Sequence, residues 1–202
     1  MLRYGLTGGI ASGKSTVAAM LRERGFPVLE ADMISHRLIE PGGGAYDQVI
    51  ARFGGGIVDG DRKISHSGLA AIVFSDREKL LQLNSILHPL VEEEIARQFA
   101  ELERDGRHAV AVMEAALIFE AGFEERLDGV IVAWCLPEQQ LARLMGRGMS
   151  EAEARQRVAA QMPAENKLAL ATEKIDCSGS LDETRRQVDV LAARLRAASL
   201  LK

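Results

Sequence analysis

The sequence predicts an α/β fold in which helices alternate with the strands of one parallel sheet. Two runs in the middle of the chain, residues 108–113 and 129–135, are nearly continuously apolar, as expected for parallel strands that are covered on both faces. Helical patterns separate the strand-like runs along the chain, which is the order that an α/β sheet requires. With 202 residues, 47% of them hydrophobic, the chain can bury a full core. We therefore predict a single three-layer domain over 1–202.

Five predicted strands alternate with helices. The first strand leads into a glycine-rich loop and then a helix over residues 16–24, which Gly25 ends. Later in the chain, Ser150 and Glu153 fit the capping box of another helix, and a final helix is expected over 181–198. The strands are expected at 3–7, 26–31, 108–113, 129–135 and 174–177.

Residues 40–105 form a mainly helical block between the second and third strands. One helix is predicted over 46–53, and a helical pattern resumes near Gly68. Residues 75–78 fit a capping box that starts a further helix, and a separate, longer helix is expected to follow His88-Pro89. Because no linker-like stretch flanks this block, we interpret it as an insertion within the domain.

Residues 8–15, with the sequence GGIASGKS, fit the G-x-x-x-x-G-K-[ST] pattern of a phosphate-binding loop. Gly8 and Gly13 permit backbone angles that a Cβ would forbid, so that several N–H groups can converge on one anion. Lys14 would place a cation near the outer phosphates of a nucleotide, and the Ser15 hydroxyl could join the coordination shell of Mg²⁺. The helix that follows directs the positive end of its dipole at the same phosphates.

The context of this loop favours phosphate binding over an ordinary glycine-rich turn. A predicted strand ends directly before the loop, and a predicted helix begins directly after it. This is the order of elements that the motif requires. The sequence therefore predicts a nucleotide-binding loop at its N-terminal end.

Acidic residues follow two of the predicted strands. Glu30 and Asp32 stand at the end of the second strand, and Glu114 follows the third. Ligands of open α/β sheets bind beyond the carboxyl ends of the strands, which is the edge from which the phosphate loop emerges. Asp32 could take a proton from an attacking hydroxyl, and Glu114 could lie near a metal. Alternatively, Asp32 only caps the next helix, and Glu114 is satisfied by a helix end or by loop amides.

Arg143 and Arg147 are four residues apart in a predicted helix, a spacing that places both guanidinium groups on one face. Such a face could clamp a transferring phosphoryl group, or it could be a charged surface in contact with water. Gly146 and Gly148 indicate a mobile boundary, which favours a lid over about 140–165.

Two histidines complete the set of candidate residues. His88 precedes a proline at a predicted helix start, where capping or hydrogen bonding is the alternative to a role in binding. His36, one turn beyond Asp32, could line a substrate site or face water.

Composition argues against several classes of protein. The net charge of −4 and the 4% content of aromatic residues disfavour a general nucleic-acid binder. Cys135 and Cys177 lack a zinc-binding spacing, and we expect both to be buried thiols. No apolar run approaches the ~20 residues of a membrane span, and the first strand begins too early for a signal peptide. We expect a cytoplasmic protein, a monomer or weak oligomer, that acts on a small molecule.

Taken together, these segments resemble the dephospho-coenzyme A kinase family. The shared features are a Leu-Thr-Gly-Gly-Ile start to the phosphate loop, an acidic pair one residue apart, a His-Pro in the helical block, a Leu-Leu-Phe-Glu-like segment, and an Arg-rich lid helix before a Gln. They occur in order over essentially the whole chain. In this sequence they stand at residues 6–10, 30–32, 87–89, 117–120 and 143–161.

The resemblance implies a P-loop NTPase fold with a central five-stranded parallel sheet, a helical substrate-binding insertion and a helical lid. It also implies that ATP, with Mg²⁺, phosphorylates the 3′-hydroxyl of the ribose of dephospho-coenzyme A to give coenzyme A, the final step of coenzyme A biosynthesis. On this analogy Asp32 would be the base, Lys14 and Ser15 would serve phosphate and metal, and Arg143 would be the lid arginine. Substrate contacts are then expected from Glu30, His36, His88 and Glu114. Nucleotide contacts are expected from Gly9, Ile10, Ala11, Ser12, Gly13, Lys14, Ser15, Thr16, Arg147 and Gly179.

The chain departs from the family pattern at several positions. Glu30 replaces the usual Asp, Ala11 stands where a third Gly is usual, and Ala116 occupies a position often taken by Pro. Around Cys177 the usual Asn before Ser-Gly is missing, so we expect only backbone contacts to the adenine side, from residues 178 and 179.

Two other functions are open to a chain with this loop. One is a different small-molecule P-loop kinase, for shikimate or a nucleoside monophosphate. The other is a GTP-dependent switch, which would require N-K-x-D for guanine recognition. Residues 166–169, NKLA, lack the Asp and lie in a predicted helical stretch, which disfavours the switch.

Overall fold

Five parallel strands form the central sheet, in the spatial order β2-β3-β1-β4-β5. The computed structural model describes residues 1–200, with all their side chains except that of Phe74. The predicted α/β fold with a five-stranded parallel sheet is confirmed. The strands are β1 (Leu2–Thr7), β2 (Val28–Glu30), β3 (Val110–Glu114), β4 (Gly129–Trp134) and β5 (Glu173–Asp176).

The first strand of the chain, β1, lies in the middle of the sheet, between β3 and β4. Leu6 is in register with Glu114 on one side and with Ile131 on the other. Glu30, the last residue of β2, is also in register with Glu114. The carboxyl ends of β1, β2 and β3 therefore meet at one edge, which brings two acidic residues beside the loop that follows Thr7.

Helices α1 (Lys14–Glu23) and α9 (Leu181–Ser199) share a hydrophobic core with the sheet. Full burial of each large aliphatic side chain contributes about 1.5–3 kcal/mol, so this core holds the start of α1 firmly against the end of β1. Its fully buried members include Leu6, Val17, Leu21, Ile131, Ile175, Leu191 and Leu195.

Three further helices follow β4: α6 (Pro137–Met145), α7 (Glu151–Ala159) and α8 (Ala164–Leu170). Pro137 stands at the first position of α6, where its missing N–H is not needed. At the start of α7, Ser150 Oγ accepts from the Glu153 N–H at 3.3 Å and Glu153 Oε2 accepts from the Ser150 N–H at 2.9 Å. The capping box predicted there is confirmed.

Backbone proximity divides the chain into two compact units. The first unit consists of Met1–Glu30 together with the chain from Phe99 onward, and it contains the sheet. The second unit is Ala31–Gln98, which overlaps the insertion predicted over 40–105. The organisation of 1–202 as a single domain stays a prediction, and its last two residues lie outside the described chain.

The second unit is helical and has a hydrophobic core of its own. It holds α2 (Ala31–Leu38), α3 (Tyr46–Phe53), α4 (His66–Phe74) and the first part of α5 (Arg77–Asp105). Ser65 Oγ caps α4 by accepting from the Gly68 N–H at 3.1 Å. The buried core residues are Ile39, Ala45, Tyr46, Val49, Ile57, Ile64, Leu69, Val73 and Leu83.

Helix α5 corrects two predictions. It is one continuous helix with Pro89 inside it, so the predicted separate helix after His88-Pro89 is wrong. A proline in a helix interior removes one hydrogen bond and costs about 3 kcal/mol or more, but Leu83, Val91 and Ile95 are buried on both sides of it, and their packing sustains the helix. The predicted capping box, residues 75–78, was also placed one residue too early. The capping residue is Asp76, whose Oδ1 accepts from the N–H groups of the second and third residues of α5.

Within residues 1–200, no helix is both long enough and apolar enough to cross a lipid bilayer.

Candidate active site

The loop between β1 and α1 depends on glycines at both of its ends. A Cβ on Gly8 would collide with the carbonyl oxygen of Ala133 in β4. Gly13 caps α1 with a φ of 105°, a left-handed angle that favours glycine. A Cβ there would also lie 2.8 Å from Cys177 Sγ. Close packing therefore requires glycine at both positions, whereas only Gly13 also has a left-handed φ. The prediction that Gly8 needs a backbone angle unfavourable for other residues is not borne out.

Ala11, at the crest of the loop, also has a left-handed backbone, with a φ of 58°. For a residue with a side chain this conformation costs about 1–2 kcal/mol, so neighbouring groups must hold it. Arg143 Nη1 donates to the Ala11 carbonyl oxygen at 3.1 Å, and the Cys135 thiol approaches the same oxygen at 3.8 Å. The position where a third glycine is usual in the family is thus occupied by a constrained alanine.

Glu114 joins the two residues that the motif assigns to phosphate and metal. Its Oε1 accepts from Lys14 Nζ at 2.7 Å and from Ser15 Oγ at 2.9 Å. Glu114 is 6% exposed, so these contacts lie in a partly desolvated place where charge interactions are stronger than in water. Burial and ion pairing hold the ammonium and the hydroxyl side by side at the start of α1.

Arg22 extends this charged cluster toward the edge strand β2. Its Nη2 donates to Glu30 Oε1 at 2.6 Å and lies 3.9 Å from Glu114 Oε2. The two acidic residues at the strand ends therefore share one guanidinium group. Sequence reasoning missed Arg22. Its place in the last turn of α1, two turns beyond Ser15 along the same helix, is a signal that could have been used.

The geometry of the loop fits a nucleotide phosphate. The Ser12 hydroxyl is 2% exposed and makes no hydrogen bond to the residues that the structure describes. A buried hydroxyl without an acceptor is costly, and a phosphate oxygen would supply one. Helix α1 begins at Lys14, so the N–H groups of its first turn have no partner within the helix and point toward the same place.

Ser15 and Glu114 present the kind of oxygen ligands that Mg²⁺ prefers. Over residues 1–200 no group of three or more His, Cys, Asp or Glu side chains is arranged to hold a metal ion. Mg²⁺ is usually bound by one or two carboxylates together with substrate phosphates, and the Ser15–Glu114 pair, whose oxygens lie 2.9 Å apart, suits that mode of binding.

Side chains from α6 and from the segment after α7 hold the crest of the loop. Gln140 Nε2 donates to the Ile10 carbonyl oxygen at 2.9 Å, and Gln161 Oε1 accepts from the Ile10 N–H at 2.7 Å. Sequence analysis named Gln161 only as a feature of the family resemblance, without a contact or a role, and it did not name Gln140. Gln140 lies three residues before Arg143, on the same helix face, which is a signal that could have been used.

Arg143 connects the phosphate loop to the loop that follows β5. Besides its bond to Ala11, it donates from Nη2 to the Cys177 carbonyl oxygen at 2.8 Å. The adjoining Ser178 is bound to the start of α6, since its carbonyl accepts from Gln139 Nε2 at 2.7 Å. Gly179, the expected nucleotide contact, comes next in this anchored loop.

Arg147 does not share a helix face with Arg143. Helix α6 ends at Met145, and Arg147 lies beyond it and is exposed. The glycines on either side explain the difference, because Gly146 ends the helix and Gly148 has a left-handed φ of 89°. The argument from i,i+4 spacing therefore fails, and a role for Arg147 in nucleotide binding stays a prediction.

Three predicted site residues belong to the second unit. Asp32 is the second residue of α2 and is exposed, so its carboxylate interacts favourably with the helix N-terminus without being the capping residue. The rings of His36 and His66 lie 4.6 Å apart. His88 is half-buried in the middle of α5, and therefore not at a helix start as predicted.

Both cysteines lie within the described residues and are free, buried thiols, as expected. Burial raises the pKa of Cys177 to about 11 and also raises the pKa of Cys135. A thiol with a raised pKa is a poor nucleophile at neutral pH. The two side chains pack beneath the phosphate loop and do not form a reactive centre.

A parallel sheet whose central strand leads through GGIASGKS into a helix defines a P-loop nucleotide-binding protein. The family model described as dephospho-CoA kinase matches residues 2–183 of the chain. The dephospho-CoA kinase of Carboxydothermus hydrogenoformans is 47% identical over 91% of this chain and 89% of its own length. The chain therefore belongs to the dephospho-CoA kinase family, and it is a kinase.

Two solved structures resemble the chain over nearly its full length. The crystal structure of TT1252 from Thermus thermophilus has a TM-score of 0.80 at 34% identity and covers 96% of this chain and 97% of its own. The dephospho-CoA kinase from Campylobacter jejuni has a TM-score of 0.70 at 27% identity, with 96% of each chain covered.

Proposed function

We propose that this chain transfers the γ-phosphoryl group of ATP to the 3′-hydroxyl of the ribose of dephospho-coenzyme A, with Mg²⁺, to give coenzyme A in the final step of its biosynthesis. One observation carries the proposal. The Lys14, Ser15 and Glu114 cluster, with its 2.7 and 2.9 Å contacts, lies in a chain that matches the dephospho-CoA kinase family over residues 2–183.

Positioning and charge neutralisation dominate phosphoryl transfer, because the reaction leaves little covalent work to the protein. The loop amides and Lys14 bind and orient the phosphates of ATP. Ser15 and Glu114 would hold Mg²⁺, which when bound neutralises charge on the phosphate oxygens. Arg143 keeps the loop and the adenine-side loop at Cys177 in fixed relation, since it donates to a carbonyl in each.

Proton removal from the acceptor hydroxyl is assigned to Asp32. Its carboxylate is exposed in the first turn of α2, and a carboxylate can accept a proton from an attacking hydroxyl. Glu30, His36 and His88 are proposed to contact the acceptor.

The structure disfavours the alternative of a GTP-dependent switch, because the candidate guanine-binding residue, Lys167, is not available to a base. Lys167 is fully buried in α8, where its Nζ donates to the Ala116 carbonyl oxygen at 2.8 Å and lies 2.9 Å from Glu120 Oε1. A lysine held in this way cannot recognise a base. Another small-molecule kinase is the alternative that remains to be tested.

Incubation of the purified protein with γ-labelled ATP, Mg²⁺ and one acceptor at a time tests the proposal. We expect transfer to dephospho-coenzyme A and none to shikimate or nucleoside monophosphates, with coenzyme A identified by mass. A Lys14→Met variant is the control for contaminating kinases. Transfer to another acceptor in preference to dephospho-coenzyme A would refute the assignment. The cytoplasmic location, the monomeric or weakly oligomeric state and the absence of nucleic-acid partners stay predictions.

A further inference from the structure

The backbone N–H and C=O of Ile10 are held by two glutamines that come from opposite ends of the 140–165 segment. Gln140 binds its carbonyl oxygen and Gln161 binds its N–H, at 2.9 and 2.7 Å. The next residue is Ala11, which has the left-handed φ of 58°. A strained residue keeps its conformation only where the surrounding structure over-determines it. Gln140 binds the peptide immediately before Ala11, and Gln161 binds the one before that, so together they fix Ile10 on both sides.

Gln161 has no helix to fix it, because it lies between α7 and α8. Its own N–H donates to the Val158 carbonyl oxygen at 3.3 Å at the end of α7, and a second anchor lies on its C-terminal side. The Met162 N–H donates to Glu120 Oε1 at 3.0 Å, and Glu120 is in turn bound by Lys167, whose Nζ lies 2.9 Å from the same oxygen.

The Lys167–Glu120 pair is a rigid anchor. The Lys167 side chain is fully buried and that of Glu120 is 23% exposed, and a buried ammonium group must keep its partners because separation leaves an uncompensated charge. Lys167 also donates to the Ala116 carbonyl oxygen, to which Thr7 Oγ1 donates at 3.1 Å. A continuous set of bonds therefore runs from the end of β1 through Ala116, Lys167 and Glu120 to Gln161 and back to the phosphate loop.

We infer that Gln161 is a positioning residue of the nucleotide site, whose side-chain oxygen holds the Ile10 N–H and thereby keeps Ala11 in the conformation that receives phosphate. The Lys167–Glu120 pair fixes Gln161 in place. The inference rests on the proposed binding of nucleotide at this loop. Because the loop binds the phosphates in the ground state and in the transition state alike, the loss of Gln161 is expected to weaken nucleotide binding more than it slows turnover.

Gln161→Met tests the inference, because it keeps the length of the side chain and removes the acceptor. We expect ADP affinity, measured by calorimetry, to fall roughly three- to tenfold, the scale of one hydrogen bond, with kcat nearly unchanged. Amide exchange at Ile10, followed by NMR in the nucleotide-free protein, is expected to accelerate. Gln161→Glu retains an acceptor and should restore slow exchange at Ile10, although its charge disfavours phosphate.

An Ala11→Gly change supplies the decisive comparison. Glycine takes a left-handed φ without strain, so the effect of Gln161→Met on ADP affinity should shrink in the Ala11→Gly background, as a double-mutant cycle measures. Gln156→Ala is the matched control, since this exposed glutamine lies in α7, and it should change neither readout.

The inference would be overturned by unchanged Ile10 exchange in Gln161→Met, by additive effects of the Ala11 and Gln161 changes, or by a fall in kcat with ADP affinity intact. An equal effect of Gln156→Ala would reduce the result to general destabilisation and would also overturn it. ADP affinity and Ile10 exchange require no acceptor, so a failure to phosphorylate dephospho-coenzyme A refutes the proposed function alone.

Discussion

At the scale of single residues, Arg143 has a double role that separates it from an ordinary surface arginine. Its two terminal nitrogens donate to the carbonyl oxygens of Ala11 and Cys177. A planar fork can hold both at once, whereas a lysine ammonium is a single point charge.

For Arg143→Ala we predict a fall in kcat of about 10²-fold or more, because we propose that this lid arginine, besides its two carbonyl contacts, neutralises charge on the transferring phosphoryl group. Arg143→Lys should recover only a small part of it. Steady-state kinetics with ATP and dephospho-coenzyme A provide the measurement, and Arg147→Ala, at an exposed position beyond α6, is the comparison. A normal rate in Arg143→Ala would assign this residue to surface structure alone.

Asp32→Asn separates the proposed role of Asp32 as the base from the interaction of the same side chain with the start of α2. Asparagine keeps the size of the side chain but cannot accept the proton, so we predict that kcat falls far more than ATP affinity. Turnover and calorimetric ATP binding measured on the same preparation check this prediction. Intact turnover would mean that Asp32 only stabilises the start of α2.

At the scale of elements, α5 contains a carboxylate whose protonation in acid lowers the stability of the fold. The pKa of Glu94 is lowered to about 2, first by its hydrogen bond with Arg97 and then by that with Gln98. Both contacts are 2.6 Å, and a carboxyl with a lowered pKa stabilises the fold above its ordinary pKa near 4.5.

We predict that the stabilisation from Glu94 is complete above pH 4.5 and is lost as the pH falls toward 2, because the folded protein must then take up a proton that the unfolded chain binds more readily. Urea unfolding of the wild type and of Glu94→Gln should differ near neutral pH and converge in acid. Glu93→Gln, at an exposed position on the same helix, should show a much smaller difference. A gap between wild type and Glu94→Gln that persists at low pH would contradict the prediction.

The elements that could be predicted are those with local signals. Residues close together in the sequence determine the capping box at Ser150 and the strand–loop–helix order around residues 8–15. Both formed as expected. The continuity of α5 through Pro89 could not be predicted in this way, because it depends on the packing of Val91 and Ile95, which outweighs a local helix-breaking signal.

In the candidate site, too, some contacts could be predicted from the sequence and others depend on the tertiary fold. Lys14, Ser15 and Glu114 were predictable as neighbours because parallel strands end at one edge of the sheet. The contact of Gln161 with Ile10 joins residues 151 positions apart and depends on the course of two loops. No spacing rule indicates such a pair, and the same holds for the bond of Arg143 to Cys177.

At the scale of the whole molecule, the contacts of residues 140–165 with the phosphate loop predict a coupled response to nucleotide. We expect slower amide hydrogen exchange over about 140–165 when ATP is bound, because closure of a lid orders its backbone. Exchange followed by mass spectrometry with and without ATP provides the measurement, and α9, in the core on the sheet, is the internal reference. Identical exchange in 140–165 under the two conditions would contradict lid closure.

The central place of β1 also has a consequence for synthesis of the chain. The first strand leaves the ribosome before any of its partners exist, since Leu2 pairs with Val110 and Tyr4 with Gly129. The phosphate loop then needs Gln140, Arg143 and Gln161, so it is made well before its partners and cannot be complete until Gln161 has been translated. The core of the second unit, by contrast, is drawn from one continuous stretch, and its contacts become available early. During translation, a nascent chain therefore carries an unassembled nucleotide site until these residues have been made, with the apolar face of α1 exposed to chaperones.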